Sequence, residues 1–293
     1  MKELFPDGTG NIVEEATWQQ LMHTLKSDES IIDKTNATLK IKEALIGSVK
    51  SRASHGCGVL FSGGVDSATI AMILNQLGVC FKCFTVGTQD SKDLLFAEKI
   101  AEEYGFENVV KIFNEDKVIQ LFKDVIKLLN RTDTVSVGVG SVMLGGLKLA
   151  KKNNCSCVFT GLGAEEIFGG YQRHIEAADL NRECWRGLLD VFWERDLKRD
   201  CTIAKHVGIG VATPFLDSEV IKAAMMIPAK FKYKEGYKKY VLREAAEELG
   251  LKHEYAFRRK LAGQYGSGFD KVLERAAKQK GFEKKRDYLK SLS

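Results

Sequence analysis

Residues 59–67 read VLFSGGVDS, and this stretch decides much of what the chain can fold into. An apolar run stops at a serine, two glycines, an aspartate and a second serine, and ATIAMILNQLG then resumes with helical spacing. Such a run, closed by glycine and followed by a helix, is the strand–turn–helix unit of an α/β sheet. Gly63 and Gly64 let backbone N–H groups approach a ligand and turn inward. A helix starting near Ser67 adds its positive N-terminal end, and the hydroxyls of Ser62 and Ser67 can donate as well. An anion is therefore expected, with phosphate the natural fit. Asp66 conflicts with that anion unless a divalent cation lies between them, and Mg2+ prefers one or two carboxylates plus substrate phosphates. An ordinary strand-to-helix turn with Ser or Asp as N-cap satisfies part of the pattern. The full six residues, held between strand and helix, favour a Mg-pyrophosphate cradle.

The alternation continues along the chain. Helical periodicity occupies 37–54, the stretch from the glycine loop to about 77, and then 93–104, 118–129 and 141–151. Apolar strands are expected at 58–61, 79–86, 109–113 and 155–160. Strands alternating with helices imply an α/β fold: a parallel twisted sheet with helices on both faces. From about Trp185 onward the pattern is mostly helical and reads as a C-terminal helical layer on the sheet. Residues 1–54 are expected to form an N-terminal helical segment and 55–293 the α/β domain. In such sheets ligands bind beyond the carboxyl ends of the strands. Two strands end in glycine-rich, acid-bearing loops, SGGVDS and TGLGAEEIFGGY, which should therefore share one rim.

Composition narrows the class. No run approaches the ~18 apolar residues of a membrane span, and MKELFPDGTGNIVEE has no apolar core of a signal peptide. A cytoplasmic location is the expectation. Seven cysteines in 293 residues do not suggest a disulfide framework. Cys80/Cys83 and Cys155/Cys157 read as small apolar residues of buried strands; Cys80 and Cys83, three apart, would also face opposite ways on a strand and chelate poorly. Net charge is +5. The basic tail FEKKRDYLKSLS reads as a solvated helix face, with no aromatic-basic motif to support nucleic-acid contact.

SGGVDS resembles the PP-loop of the N-type ATP pyrophosphatases, which cleave ATP to AMP and pyrophosphate; it lacks the GKS or GKT ending of a Walker A loop. Later segments are similar to the asparagine synthetase type within that superfamily. FTGLGAEEIFGGYQRH (159–174) resembles SGEGxDExFGGY, and CFTVG (83–87) resembles the adenine-receiving strand. ATPFLD (212–217) resembles RxPFLD, KKYVLREAA (238–246) the KxxLR helix, and FRRKLAGQYGSG (257–268) the RxK…GxG loop. The resemblance implies an adenine nucleotide alpha hydrolase-like fold with ATP and Mg2+ as cofactors. It implies an ATP site built from Leu60, Ser62, Gly63, Gly64, Val65, Asp66 and Ser67, from Val86 at the adenine, and from Gly161, Leu162 and Gly163 near the AMP moiety. Asp66 and Glu165 would carry Mg2+, Lys239 would bind ATP phosphates, and Lys260 would stabilise the transition state and departing pyrophosphate. The implied chemistry is attack of a substrate carboxylate on the α-phosphorus, then capture of the acyl-adenylate by ammonia or an amine.

The sequence also departs from that family. Lys2 follows Met1 where glutamine-using members carry a catalytic cysteine, so ammonia, an amine or a separate glutaminase partner is the expected nitrogen source. Leu162 replaces the glutamate of SGEG, and Gly210 and Ala212 replace the acid and arginine before PFLD. The stretch 131–143, RTDTVSVGVGSVM, is glycine-rich and apolar and lacks the arginine of aspartate-using enzymes. These changes leave the carboxylate substrate open. They also leave room for a nucleotide-binding regulatory homologue without turnover, while the cysteine pairs and basic tail leave room for a tRNA-modifying PP-loop enzyme. A homodimer is compatible with either reading.

Overall fold

The strand that ends in SGGVDS lies at the centre of the sheet. The computed structural model describes residues 12–31, 33–259 and 262–293. Five strands, β1 (Cys57–Leu60), β2 (Phe81–Gly87), β3 (Asn108–Ile112), β4 (Cys157–Phe159) and β5 (Gly210–Ala212), are ordered β3-β2-β1-β4-β5. Every neighbouring pair is parallel, with Val59 opposite Cys83 on one side and Phe159 on the other.

Side chains alternate across this sheet as strand geometry requires. Cys57, Val59, Phe61, Cys83 and Phe159 enter one core. Phe84, Val158 and Val211 enter a second. The first core is closed by helices α1 (Glu15–Leu25), α2 (Lys34–Arg52), α3 (Val65–Gln76) and α4 (Lys92–Tyr104), and by the helix Tyr240–Glu248. The second is closed by α5 (Glu115–Leu129) and α6 (Thr134–Lys152), with the helices Lys198–Val207 and Phe269–Gln279. Helices thus cover both faces, as the βαβ pattern demands. Among the described residues no helix is long and apolar enough to cross a membrane.

Four details depart from the sequence reading. Helix α3 begins at Val65, not near Ser67, which puts Asp66 inside the first turn. Strand β5 was not anticipated: three residues between Gly208 and Pro214 are too short to show a period, and pairing with β4 defines it. Helix α6 begins at Thr134 rather than 141, started by an Asp133 carboxylate that accepts from the Ser136 N–H at 2.8 Å. Its glycines are packing positions, not breaks; a Cβ on Gly146 would stand 2.8 Å from Leu60 Cδ2. Lastly, Cys80 is exposed and precedes β2, and Cys155 precedes β4, so neither pair lies wholly within a strand.

At Gly58, in the central strand, an added Cβ would sit 2.6 Å from Phe84 Cε2 and 3.0 Å from Cys155 Sγ. Overpacking of this kind costs about 1–3 kcal/mol. Gly58→Ala is expected to lower the stability by that amount in urea unfolding, with an unchanged slope; an unaltered midpoint would show that the second core yields freely.

Candidate functional site

The chain order and the spatial order of the strands disagree at one place. From β1 the chain moves outward through β2 and β3, then returns to the other side of β1 as β4. Loops leaving β1 and β4 therefore part in opposite directions and open a crevice at the carboxyl ends of the strands. Both glycine-rich, acid-bearing loops flank it, as expected from the sequence.

From the β1 side comes Asp66, the second residue of α3. From the β4 side comes Glu165, in the single-turn helix α7 (Ala164–Ile167). Gly161 lies between them; a Cβ there would be 2.9 Å from that of Asp66. The third member arrives from far along the chain. A hairpin of β6 (Tyr233–Lys234) and β7 (Tyr237–Lys238) turns through Glu235 and Gly236, both with positive φ. It delivers Lys239, whose own backbone is left-handed at φ 56°. The Lys239 Nζ donates to both oxygens of Asp66, at 3.0 and 2.8 Å, and to Glu165 Oε1 at 2.5 Å. Its side chain is only 6% exposed. Burial opposes the ammonium charge, yet the two carboxylates outweigh it and hold the pKa above its ordinary value.

Two features fix this ion triad. Arg243, on the helix that Lys239 caps, donates to the Lys238 carbonyl at 2.7 Å and to that of Ala256 at 2.5 Å. At Gly170 a Cβ would fall 1.6 Å from Glu165 Oε2 and 2.6 Å from Lys239 Cε, so only glycine admits the pair.

The SGG turn closes on itself. Gly63 has φ +61°, where a side chain would be strained and would press the α4 backbone. The Ser67 hydroxyl donates to the Gly64 carbonyl at 3.1 Å and accepts from the Ser62 N–H at 3.4 Å, so it braces the loop. No described residue accepts from the N–H groups of Gly63 or Gly64. Val65 and Val86 are buried, and Leu60 and Leu162 are half-buried against the two cores. Leu162 thus turns an apolar side chain toward packing. Gly163 opens α7. Lys260 lies outside the described residues.

Glu166, the residue after Glu165, carries no role in the sequence reading. The structure buries it against Arg195, whose Nη2 donates to it at 3.0 Å and to the Tyr171 hydroxyl at 3.3 Å. Burial, then the Asp196 charge, push its carboxyl up to about 8 against the pull of Arg195. The chain of charges runs on through Asp196, Arg199 and Asp200. No signal local to the sequence joins residue 166 to 195. The cysteine pairs join no metal-binding group among the described residues.

A divalent cation fits this set. Two carboxylates from opposite lips of the crevice already converge on one positive charge, that of Lys239, and the N–H groups of the glycine turn have no acceptor among the described residues. Asp66 and Glu165 are the residues that would hold the metal.

Comparison with known proteins follows from this geometry. The family model described as Asparagine synthase matches residues 40–198 and 176–286. A Methanocaldococcus jannaschii protein bearing the name asparagine synthetase (glutamine-hydrolyzing) 1 is 31% identical over 288 residues, covering 84% of this chain and 52% of that protein. The asparagine synthetase (glutamine-hydrolyzing) of Homo sapiens is 33% identical over 207 residues, covering 66% of this chain and 36% of that protein. The chain therefore spans about half the length, or less, of these relatives. Among solved structures, the NH3-dependent NAD synthetase of Campylobacter jejuni is a distant likeness: 22% identity over 47% of this chain and 61% of that one, with a TM-score of 0.33.

Below the second loop, Lys232 is fully buried and its Nζ has no hydrogen-bond partner among the described residues. Burial pushes its pKa down from 10.5 to about 8, with Cys184 the first influence against it. Below about pH 8 the folded protein holds the charged, desolvated ammonium. Between about pH 8 and 10.5 the folded state has released a proton that the unfolded state keeps, so stability rises with pH across that window. Lys232→Met is expected to stabilise the protein at pH 7 by on the order of 2–3 kcal/mol, with the gain shrinking as pH approaches 10. Denaturant melts at both pH values check this, and a pH-independent gain would contradict it.

Proposed function

The chain belongs to the asparagine synthase family, and on that premise we propose that it is an ATP-consuming, AMP-forming amide ligase. One observation carries the reading: Asp66, beside a glycine turn with free N–H groups, and Glu165, across the crevice, clasp a single positive charge. That arrangement suits Mg·ATP and has little purpose in a purely structural loop.

The residues divide the work as follows. The N–H groups of Gly63 and Gly64 and the N-terminal end of α3 bind the β- and γ-phosphates. Asp66 and Glu165 would hold Mg2+, which would neutralise phosphate charge. Lys239 then turns from the carboxylates to the phosphate oxygens, where its ammonium stabilises charge moving onto pyrophosphate. Lys260 is assigned the same task from the family resemblance. Val86, at the end of β2, faces the adenine. The substrate is a carboxylate that attacks the α-phosphorus; the acyl-adenylate is captured by ammonia, an amine, or nitrogen from a partner glutaminase. Leu162 gives the acyl side of the pocket an apolar contact, which favours a substrate other than aspartate. The same leucine, with Gly210 at the other expected acid, supports a second reading: a homologue that binds Mg·ATP without turnover.

The reading is tested by pyrophosphate and AMP release from ATP across carboxylate and nitrogen-donor sets, aspartate with ammonia included. Calorimetric binding of Mg·ATP with no release in any set would select the second reading, and no binding would reject both. In an active set, Asp66→Ala is expected to lower kcat on the order of 10²–10³-fold while leaving the circular dichroism unchanged. Lys239→Gln leaves both carboxylates unpaired. Without nucleotide it is expected to bind Mn2+ about tenfold more tightly than the parent, because no ammonium competes for them. Electron paramagnetic resonance counts the free ion, and equal or weaker binding would show that Lys239 does not occupy the metal's place.

A further inference from the structure

Arg258 reaches the glycine turn from outside the two crevice loops. Its Nη2 donates to the carbonyls of Ser62 and Gly63, at 3.3 and 3.0 Å. The guanidinium lies over the Phe96 ring, with Cζ 4.1 Å from the centroid, and Nη2 is 3.8 Å from Asp93 Oδ1. The side chain is 9% exposed. Phe96 and Asp93 both belong to α4, whose backbone also closes on Gly63. A rigid platform therefore aims this arginine at two successive peptide groups.

Peptide planarity makes those contacts consequential. In a trans peptide the N–H points opposite to its C=O. When the carbonyls of residues 62 and 63 both face Arg258, the N–H groups of Gly63 and Gly64 must both face the other way. These are the two donors that no described residue accepts from. Successive N–H groups turned to one side form an anion-binding concavity. Glycine offers little resistance to rotation, so an unrestrained Gly63-Gly64 pair would populate flipped peptides with a carbonyl oxygen aimed at the anion. A guanidinium answers that weakness, because a charge-assisted hydrogen bond to a carbonyl is stronger than a neutral one.

We propose that Arg258 is a positioning residue for the phosphate cradle: by holding the carbonyls of Ser62 and Gly63 it orients the Gly63 and Gly64 N–H groups toward pyrophosphate. It touches no reacting atom itself. The inference rests on the reading of SGGVDS as a pyrophosphate site and adds the part that sets the loop's polarity. It also gives the FRRK segment a role independent of Lys260: the chain that follows the helix His253–Ala256 is tied to the cradle two residues earlier. Asp93 extends the tie, since its carboxylate packs against Gly266 of the GQYGSG segment.

The test compares pyrophosphate binding by calorimetry in the full chain, in Arg258→Met and in Arg258→Lys, alongside thermal midpoints and hydrogen exchange of peptides covering 60–68. Arg258→Met is expected to weaken pyrophosphate binding about tenfold or more, with a thermal midpoint within a few degrees of the parent and faster exchange confined to the loop. Arg258→Lys, which can reach one carbonyl but lacks the planar stack on Phe96, should recover part of the loss. Unchanged affinity in Arg258→Met overturns the proposal while the cradle reading stands. So does a loss of affinity that comes with a lowered midpoint and faster exchange across the sheet, since that is a general structural role. Failure of the parent to bind pyrophosphate overturns the cradle reading and this proposal with it. Should Arg258→Met not fold, Arg258→Lys carries the comparison, and parental affinity together with parental loop exchange in that variant overturns the proposal.

Discussion

The contact between the Lys239 ammonium and the carboxylates of Asp66 and Glu165 is the constraint around which the rest is arranged. Two carboxylates brought together from opposite sides of a crevice repel, and burial makes that repulsion worse. A cation between them relieves the repulsion, and the Lys239 ammonium supplies it. The neighbourhood is shaped by that need. Gly170 is a glycine because the Glu165–Lys239 pair fills the space a Cβ would take. Arg243 pins the peptide before Lys239. Lys239 accepts a left-handed backbone, a conformation costing a non-glycine residue roughly 1–2 kcal/mol, in order to point its side chain inward from the start of a helix.

Topology explains why the ion triad forms where it does. Parallel strands put every helix-entry loop on the same rim, but only where the order reverses do adjacent loops leave a gap. Reversal between β1 and β4 assigns the gap to SGGVDS and TGLGAEEIFGGY and to no other pair. Lys239 and Arg258 come from the C-terminal helical part of the chain, and the segment that carries them, from Tyr240 to Phe257, packs on the first core. The sheet side thus supplies the glycine turn and the two carboxylates. The C-terminal part supplies two buried cations, Lys239 and Arg258, that reach over to them.

How much of this was legible follows from how local each signal is. SGGVDS could be read directly because glycine pair, hydroxyls and carboxylate sit within six residues and conflict unless a cation reconciles them. Parallel strands were legible from runs such as VLF and FKCFTVG, whereas GVA at β5 is too short for any period and is defined only by its partner. Helix α6 was partly hidden because its glycines look like breaks until their neighbours, Leu60 and Gln264, are known. Arg243 and Arg258 stood in the quoted KxxLR and RxK segments, but with no contact assigned to either. Each bonds backbone carbonyls, and for Arg258 these lie 195 and 196 residues away. A carbonyl carries no side-chain identity for a motif to register. The Glu166–Arg195 pair was hidden for a similar reason, being a contact between distant segments with no shared pattern.

The two lips of the crevice differ in what they specify. On the β1 side the glycine turn exposes donors, Ser67 braces it, Arg258 bonds its carbonyls, and Asp66 bonds Lys239. On the β4 side the Thr160 hydroxyl is buried, and Glu165 bonds the same lysine. Leu162, three residues earlier, packs with the apolar core, and Glu166, one residue later, turns away into a buried pair with Arg195. Strand β5, which continues that side, ends in Ala212 and is buried throughout. The two lips are therefore built independently: Leu162, Gly210 and Ala212 make no hydrogen bond to the Lys239–Asp66–Glu165 triad, so side chains at those positions can differ without removing any of its contacts.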